Sequence, residues 1–136
     1  MEDCIFCKII KGELPSFKVY EDNGTFAFLT IEPVNKGHTL VVTKNHYRTF
    51  IETPDNVVCD LMAVAKKIGA SLKENLGAEG INFSINNDKT AGQEVPHTHI
   101  HVIPRFETDE HIMWPHTKYE DGEGDEVAKK IGSGLL

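Results

Sequence analysis

The sequence predicts an α+β fold, a five-stranded antiparallel sheet carrying one long helix and one short N-terminal helix. Three observations lead there. Five short runs rich in β-branched and aromatic residues are bounded by Gly, Pro, Asn and Asp. One stretch alone, 54–76, sustains apolar residues at helical spacing for several turns. The first two strand-like runs are joined by Asp22-Asn23-Gly24, whose turn chemistry makes them a hairpin.

The elements follow in order. Ile5, Phe6, Ile9 and Ile10 recur at helical spacing until Gly12 and Pro15 stop the pattern. Phe17–Glu21 alternates as the first strand, and Thr25–Ile31 is its partner. Pro33 and Asn35–Gly37 make the next loop, and His38–Thr43 is a β-branched third strand ending at Lys44-Asn45-His46. The long helix is expected from Pro54 to Leu76, with Thr53 as its cap, Pro54 in the first turn and Gly77 closing it. Its apolar stripe is Val57, Val58, Leu61, Met62, Val64, Ala65, Ile68, Leu72 and Leu76, and Cys59 reads as a small core residue. Ile81–Asn86 is the fourth strand, 87–95 a loop, and the histidine-rich run after Pro96 the fifth strand. Beyond Pro104 the chain is charged and glycine-rich, with one short helix around Glu126–Ile131. His111 and His116 face solvent on this reading.

Composition sets the class. At 136 residues, 40% hydrophobic and 26% charged, the chain 1–136 is the size of one domain, with a core over about 4–105 and a tail over 106–136. A net charge of −7 with no long basic run argues against a nucleic-acid polymer or an anionic membrane as partner, while a local pocket can still take a small phosphate ester. No apolar run approaches the roughly 20 residues of a membrane span. Met1-Glu2-Asp3-Cys4 lacks the basic start of a secretory signal, so the expected location is cytoplasmic. Three cysteines are too few for a disulfide framework, leaving reduced thiols or a metal site.

The functional signal is Pro96-His97-Thr98-His99-Ile100-His101-Val102-Ile103-Pro104. In a strand, His97, His99 and His101 project from one face and Thr98, Ile100 and Val102 from the other. Three adjacent imidazoles make a poor core, because their ring nitrogens need partners and their charge switches near neutral pH. The pattern therefore points to an enzyme.

The segment Gly92–Ile103 resembles the histidine triad family, whose motif is His-φ-His-φ-His-φ-φ with φ apolar. Cys4–Ile10, Gly37–Val42 with Lys44 and His46, and Ile81–Asn86 are similar to the family's other landmarks in the same order, so the resemblance covers about residues 4–105. It implies a nucleotide hydrolase or transferase that cleaves nucleoside 5′-phosphoramidates, or related nucleoside monophosphate esters, through a covalent nucleotidyl-histidine. His99 would be the nucleophile, and His101, Asn86 and Gln93 would stabilise the phosphate. A purine nucleotide would lie against Ile5, Phe6, Ile9, Phe28 and Ile31. Thr30 stands where the family generally has an Asp that binds both ribose hydroxyls, which implies weakened discrimination against deoxyribose. Glu94 replaces a Ser or Thr beside the leaving group. His38 would make a hydrogen bond beneath the site, the assembly would be a homodimer, and Trp114-Pro115 resembles a C-terminal feature that reaches a partner's site. Metal-binding branches of the family place ligands at Cys4, Cys7, His46 and His97, which implies structural zinc, with the phosphate chemistry itself free of metal. Alone, Cys4-x-x-Cys7 also suits a redox pair, but a thioredoxin-like βαβ context is missing. Dinucleoside polyphosphate hydrolysis and non-catalytic nucleotide binding are the competing readings.

Overall fold

Two apolar faces on one sheet organise the chain. In the computed structural model, which describes residues 3–135, the elements are α1 (Ile5–Ile10), β1 (Lys18–Glu21), β2 (Thr25–Leu29), β3 (Thr39–Thr43), α2 (Asp55–Leu76), β4 (Gly80–Ser84), β5 (His99–Arg105) and α3 (Glu123–Gly132). The strands form one antiparallel sheet in the order β1-β2-β3-β5-β4. This is the α+β architecture expected from the alternating runs; β1, β2 and β3 are shorter by one or two residues, β4 is shifted to start at Gly80, and β5 starts at His99 and runs on to Arg105.

The central register decides which side chains share a face. Ala27, Val41 and Ile100 lie side by side across β2, β3 and β5. They are wholly buried against Leu61, Val64, Ala65, Ile68 and Leu72 of α2. One residue on in each strand, Phe26–Val42–His99 and Phe28–Leu40–His101 form the rows of the opposite face. There the apolar members pack with Cys4 and Phe6 at the start of α1. Both faces of β2 and β3 are thus covered, which is why their sequences read as unbroken apolar runs.

The long helix docks closely. A Cβ built on Gly69 would lie 2.7 Å from Phe83 Cζ, so a side chain at this turn would have to displace the Phe83 ring on β4. Gly77 closes the helix in the left-handed conformation, φ 71°, as expected. Three expectations fail here. Thr53 is not the cap; Pro54 holds that position with no side-chain cap bond. The Thr53 hydroxyl instead donates to Thr49 O (2.8 Å) and meets Thr98 Oγ1 at 2.8 Å, tying the helix start to the histidine segment. Cys59 is exposed, because it lies about 200° around the helix from Leu61. Met62 and Leu76 likewise fall outside the buried stripe.

β5 starts at His99, so His97 lies in the bend before the strand rather than inside it. Pro104 is paired with Ile81 within β5 instead of terminating it. It costs no ladder bond, since β3 reaches only to Val102 and the Pro104 carbonyl accepts from Asn35 Nδ2 at 2.9 Å. Arg105 then anchors the tail. Its guanidinium donates to Asp109 Oδ2 (2.9 Å), Asn82 Oδ1 (2.7 Å) and His111 O (2.8 Å). α3 is longer than the expected Glu126–Ile131, and none of its residues is buried. Glu123, Asp125 and Glu126 in its first turn and Lys129 and Lys130 in its last favour it through the helix dipole.

Because Ile100 is wholly buried between α2 and the sheet, Ile100→Ala is expected to cost about 2–5 kcal/mol, read as a lowered urea midpoint at unchanged m-value.

Candidate active site and metal centre

β5 and its partner strands deliver the histidines, and hydrogen-bond partners decide what each ring offers. His99 is buried, with the edge of Phe6 at a ring-centroid distance of 5.0 Å. Its Nδ1–H donates to the carbonyl of His97 at 2.6 Å. The hydrogen is therefore on Nδ1, and Nε2 keeps a free lone pair. Burial lowers the His99 pKa below its ordinary value, which keeps that lone pair available at neutral pH.

His101 is set the opposite way by a two-step chain. His38 Nδ1 accepts the Val34 amide hydrogen at 3.1 Å, so its own hydrogen is on Nε2. That hydrogen is donated to His101 Nδ1 at 3.0 Å. The His101 hydrogen is then on Nε2, and the ring is a donor where His99 is a lone pair. Burial first, then the neighbouring His99 and His38, lower the His101 pKa to about 4. The hydrogen bond expected of His38 beneath the site is present.

His97 turns away from both. Its Nε2–H donates to Thr43 O at 2.7 Å, leaving the Nδ1 lone pair to face Cys4 Sγ (3.3 Å), Cys7 Sγ (3.6 Å) and His46 Nδ1 (3.2 Å). Cys7 Sγ is 3.4 Å from His46 Nδ1, and the four donor atoms all lie within 4.8 Å of one another. Cys4, Cys7, His46 and His97 thus form a closed set suited to one metal ion. Burial, with the neighbouring Cys4, pushes the Cys7 thiol up, and burial lowers the His97 pKa to about 4. A cation would reverse the trend for the thiol.

His99 and His101 open into a cavity of about 490 Å³ that Asn86, Gly92 and Glu94 also line. Asn86, just past β4, holds Gly92 O only at 3.4 Å. Gln93 is not brought to this cavity. Its Nε2 hydrogens go to Arg48 O (2.7 Å) and Val95 O (3.2 Å), and its Oε1 accepts from Asp88 N (2.8 Å). With every polar position of its amide engaged, Gln93 braces the loop instead of donating into the cavity, a correction to the sequence expectation. Arg48 and Asp88, which the sequence reading missed, complete the brace. Asp88 has φ 71° and ψ 157°, a region that normally requires glycine, and Arg48 Nη1 holds its carboxylate at 2.9 Å. A lone Arg and a lone Asp forty positions apart carry no sequence signal.

A second, apolar cavity of about 440 Å³ adjoins the first and shares Phe6, Thr30, Ile31 and Leu40 with it. Ile5, Phe6, Ile9, Phe28 and Ile31 all line it, and Leu14, Pro15 and Phe17 add a wall that the sequence reading did not assign. Thr30 Oγ1 accepts the Glu32 amide at 3.3 Å, so its single oxygen is already partly engaged.

These features coincide with a known family. Residues 11–108 match the HIT domain. The chain belongs to the HIT family. It is 49% identical over 128 residues to an uncharacterized HIT-like protein of Methanocaldococcus jannaschii, covering 94% of this chain and 98% of that one. It is 42% identical over 118 residues to an adenosine 5′-monophosphoramidase of Candida albicans, covering 82% and 78%. It superposes on the crystal structure of a zinc-bound histidine triad family protein from Mycobacterium smegmatis with a TM-score of 0.78, at 33% identity, covering 97% of each. Family membership supports nucleotide hydrolysis in general. No helix among the described residues is long and apolar enough to cross a membrane.

The buried, neutral histidines make stability depend on pH. With the folded pKa of His101 near 4 and that of an unfolded histidine near 6.5, the unfolded chain binds more protons between these values, so stability falls as pH drops through that window. Calorimetry from pH 7 to pH 4 should show a falling Tm whose slope is shallower in His101→Asn.

Proposed function

We propose that this protein is a HIT-type hydrolase of purine nucleoside 5′-phosphoramidates, with His99 as the nucleophile. The observation that carries the reading is the 2.6 Å bond from His99 Nδ1 to the His97 carbonyl, which presents the Nε2 lone pair at the cavity. A neutral imidazole held in one tautomer is competent to attack phosphorus near neutral pH. The adjoining apolar cavity supports a base beside Phe6, Phe28 and Ile31.

In this mechanism His99 Nε2 bonds to the α-phosphorus while the phosphorus–nitrogen bond breaks, and the amine leaves after taking a proton from water. Charge gathers on the non-bridging oxygens, where His101 Nε2–H and the Asn86 amide donate. His38 keeps that His101 hydrogen on Nε2, so it is a positioning residue. Water then attacks the nucleotidyl-histidine, releasing the nucleoside monophosphate and returning the lone pair to His99. Gln93 contributes by fixing the loop that carries Gly92 and Glu94.

Zinc is the metal that suits the second site. A tetrahedral ion about 2.0–2.1 Å from nitrogen and about 2.3 Å from sulfur holds its ligand atoms about 3.3–3.8 Å apart. Four of the six separations here, 3.2–3.6 Å, fall close to that range, and all lie within 4.8 Å. When bound, the ion supplies a cross-link between α1 and the segment entering β5. The Thr43 carbonyl at His97 Nε2 is the outer partner that orients such a ligand. A cytoplasmic homodimer belongs to the same reading, and the exposed Ile112, Met113 and Trp114 of the tail support a contact between copies.

Single turnover of adenosine 5′-phosphoramidate tests the chemistry. His99→Ala should lose about three orders of magnitude or more in rate, and His101→Ala about ten- to a hundredfold. Equal rates in wild type and His99→Ala would remove His99 as nucleophile. Elemental analysis should find one zinc per chain, absent in Cys4→Ser with a lowered Tm. Stoichiometric zinc retained by Cys4→Ser would break the ligand assignment.

A further inference from the structure

The cavity at His99 and His101 contains no lysine or arginine among its lining residues, yet two carboxylates border it, Glu32 and Glu94. Among the described residues neither carboxylate takes part in an ion pair. Arg48 and Lys89 share a neighbouring hollow with Glu94; Arg48 is bonded to Glu52 and Asp88, and Lys89 lines that hollow and not this cavity. His101 offers no fixed positive charge either, since burial lowers its pKa to about 4. A cavity read as the seat of a phosphate group thus carries negative side chains with no lysine or arginine on its own walls to offset them.

The position of each carboxylate separates their roles. Glu32 follows Thr30 and Ile31, which also line the apolar cavity, so it lies on the nucleoside side. Neither carboxylate lines the apolar cavity itself, but Glu94 adjoins no residue that does and stands instead beside Gly92 and Val95, with Asn86 on the same wall. Its backbone is built in: Gln93 on one side is locked to Arg48, Asp88 and Val95, and the Gln93 amide donates to Asp88 O at 3.2 Å. The side chain itself is exposed and free to meet whatever leaves.

We propose that Glu94 selects the leaving group by charge, favouring phosphoramidates whose departing amine carries a second, cationic group and disfavouring anionic ones such as polyphosphates. This inference rests on the phosphoramidase reading and names its substrate class. The reaction is unchanged: the phosphorus–nitrogen bond breaks, the departing nitrogen gains one proton from water, and the distal ammonium stays protonated throughout. It acts only through attraction to Glu94.

Three adenosine 5′-phosphoramidates of matched length test it, made from 1,4-diaminobutane, n-butylamine and 4-aminobutyrate, which end in an ammonium, a methyl and a carboxylate. In the wild type kcat/KM should fall in that order by about three- to fivefold per step, the size expected of a solvent-exposed charge pair, and the spread should shrink at high salt. Glu94→Gln should bring the three within about twofold of one another, and Glu94→Lys should reverse the order. Glu32→Gln should move all three by a common factor. Retained turnover of the butylamine compound shows that each variant is folded. Equal rates for the three in wild type, lost together in His99→Ala, would overturn charge selection and leave the phosphoramidase intact. A ranking that survives Glu94→Gln would overturn the assignment to Glu94. Failure of wild type to turn over any of the three would overturn the phosphoramidase reading and this inference with it.

Discussion

Much of this site depends on one hydrogen bond, from His99 Nδ1–H to the main-chain oxygen two residues before it. It assigns the tautomer of the buried ring and therefore which nitrogen is left to react. For the bond to exist, the chain must leave extended geometry at His97 and enter the strand at His99. The bend is secured from several directions: Thr98 N donates to Tyr47 O at 2.8 Å, the Thr98 hydroxyl meets Thr53, and the His97 ring is pinned between Thr43 and the cysteines. The placement of His99 is thus distributed over α1, β3 and the start of α2.

The sheet makes that arrangement affordable by dividing its two faces. The α2 face is dry and closely packed, and it supplies the apolar burial that drives folding. The other face combines aromatic packing with the imidazole rows, so polar rings are inserted into an already ordered surface. No fully buried side-chain nitrogen or oxygen among the described residues lacks a partner, while the Nε2 atoms of His99 and His101 are left for the cavity. Pairing of the inner nitrogens lets the histidines remain neutral in the interior, and their lowered pKa values are the counterpart of that burial.

Local pattern made most of the architecture legible. Alternation marked the strands, helical spacing marked α2, Gly77 marked its end, and the spacing of the histidines announced a site. Motif resemblance then singled out His99, His101 and the cluster of Cys4, Cys7, His46 and His97. What stayed hidden depends on contacts between distant segments. Thr53 has the chemistry of a cap, but a tertiary partner, Thr98, takes its hydroxyl. Cys59 is apolar enough for the core, but the helix phase turns it outward. Gln93 has an amide suited to phosphate, but Arg48 and Asp88 consume it. Three histidines at alternate positions look equivalent until one is found in the bend.

The acceptor for His99 is a main-chain carbonyl, and every residue type has one. The hydrogen bond that orients His99 thus asks nothing of the side chain at position 97, whereas the bend that aims this carbonyl does use the His97 ring, held by the Thr43 carbonyl. One residue therefore serves two neighbours at once, giving its main chain to His99 and its ring to the cluster of Cys4, Cys7 and His46.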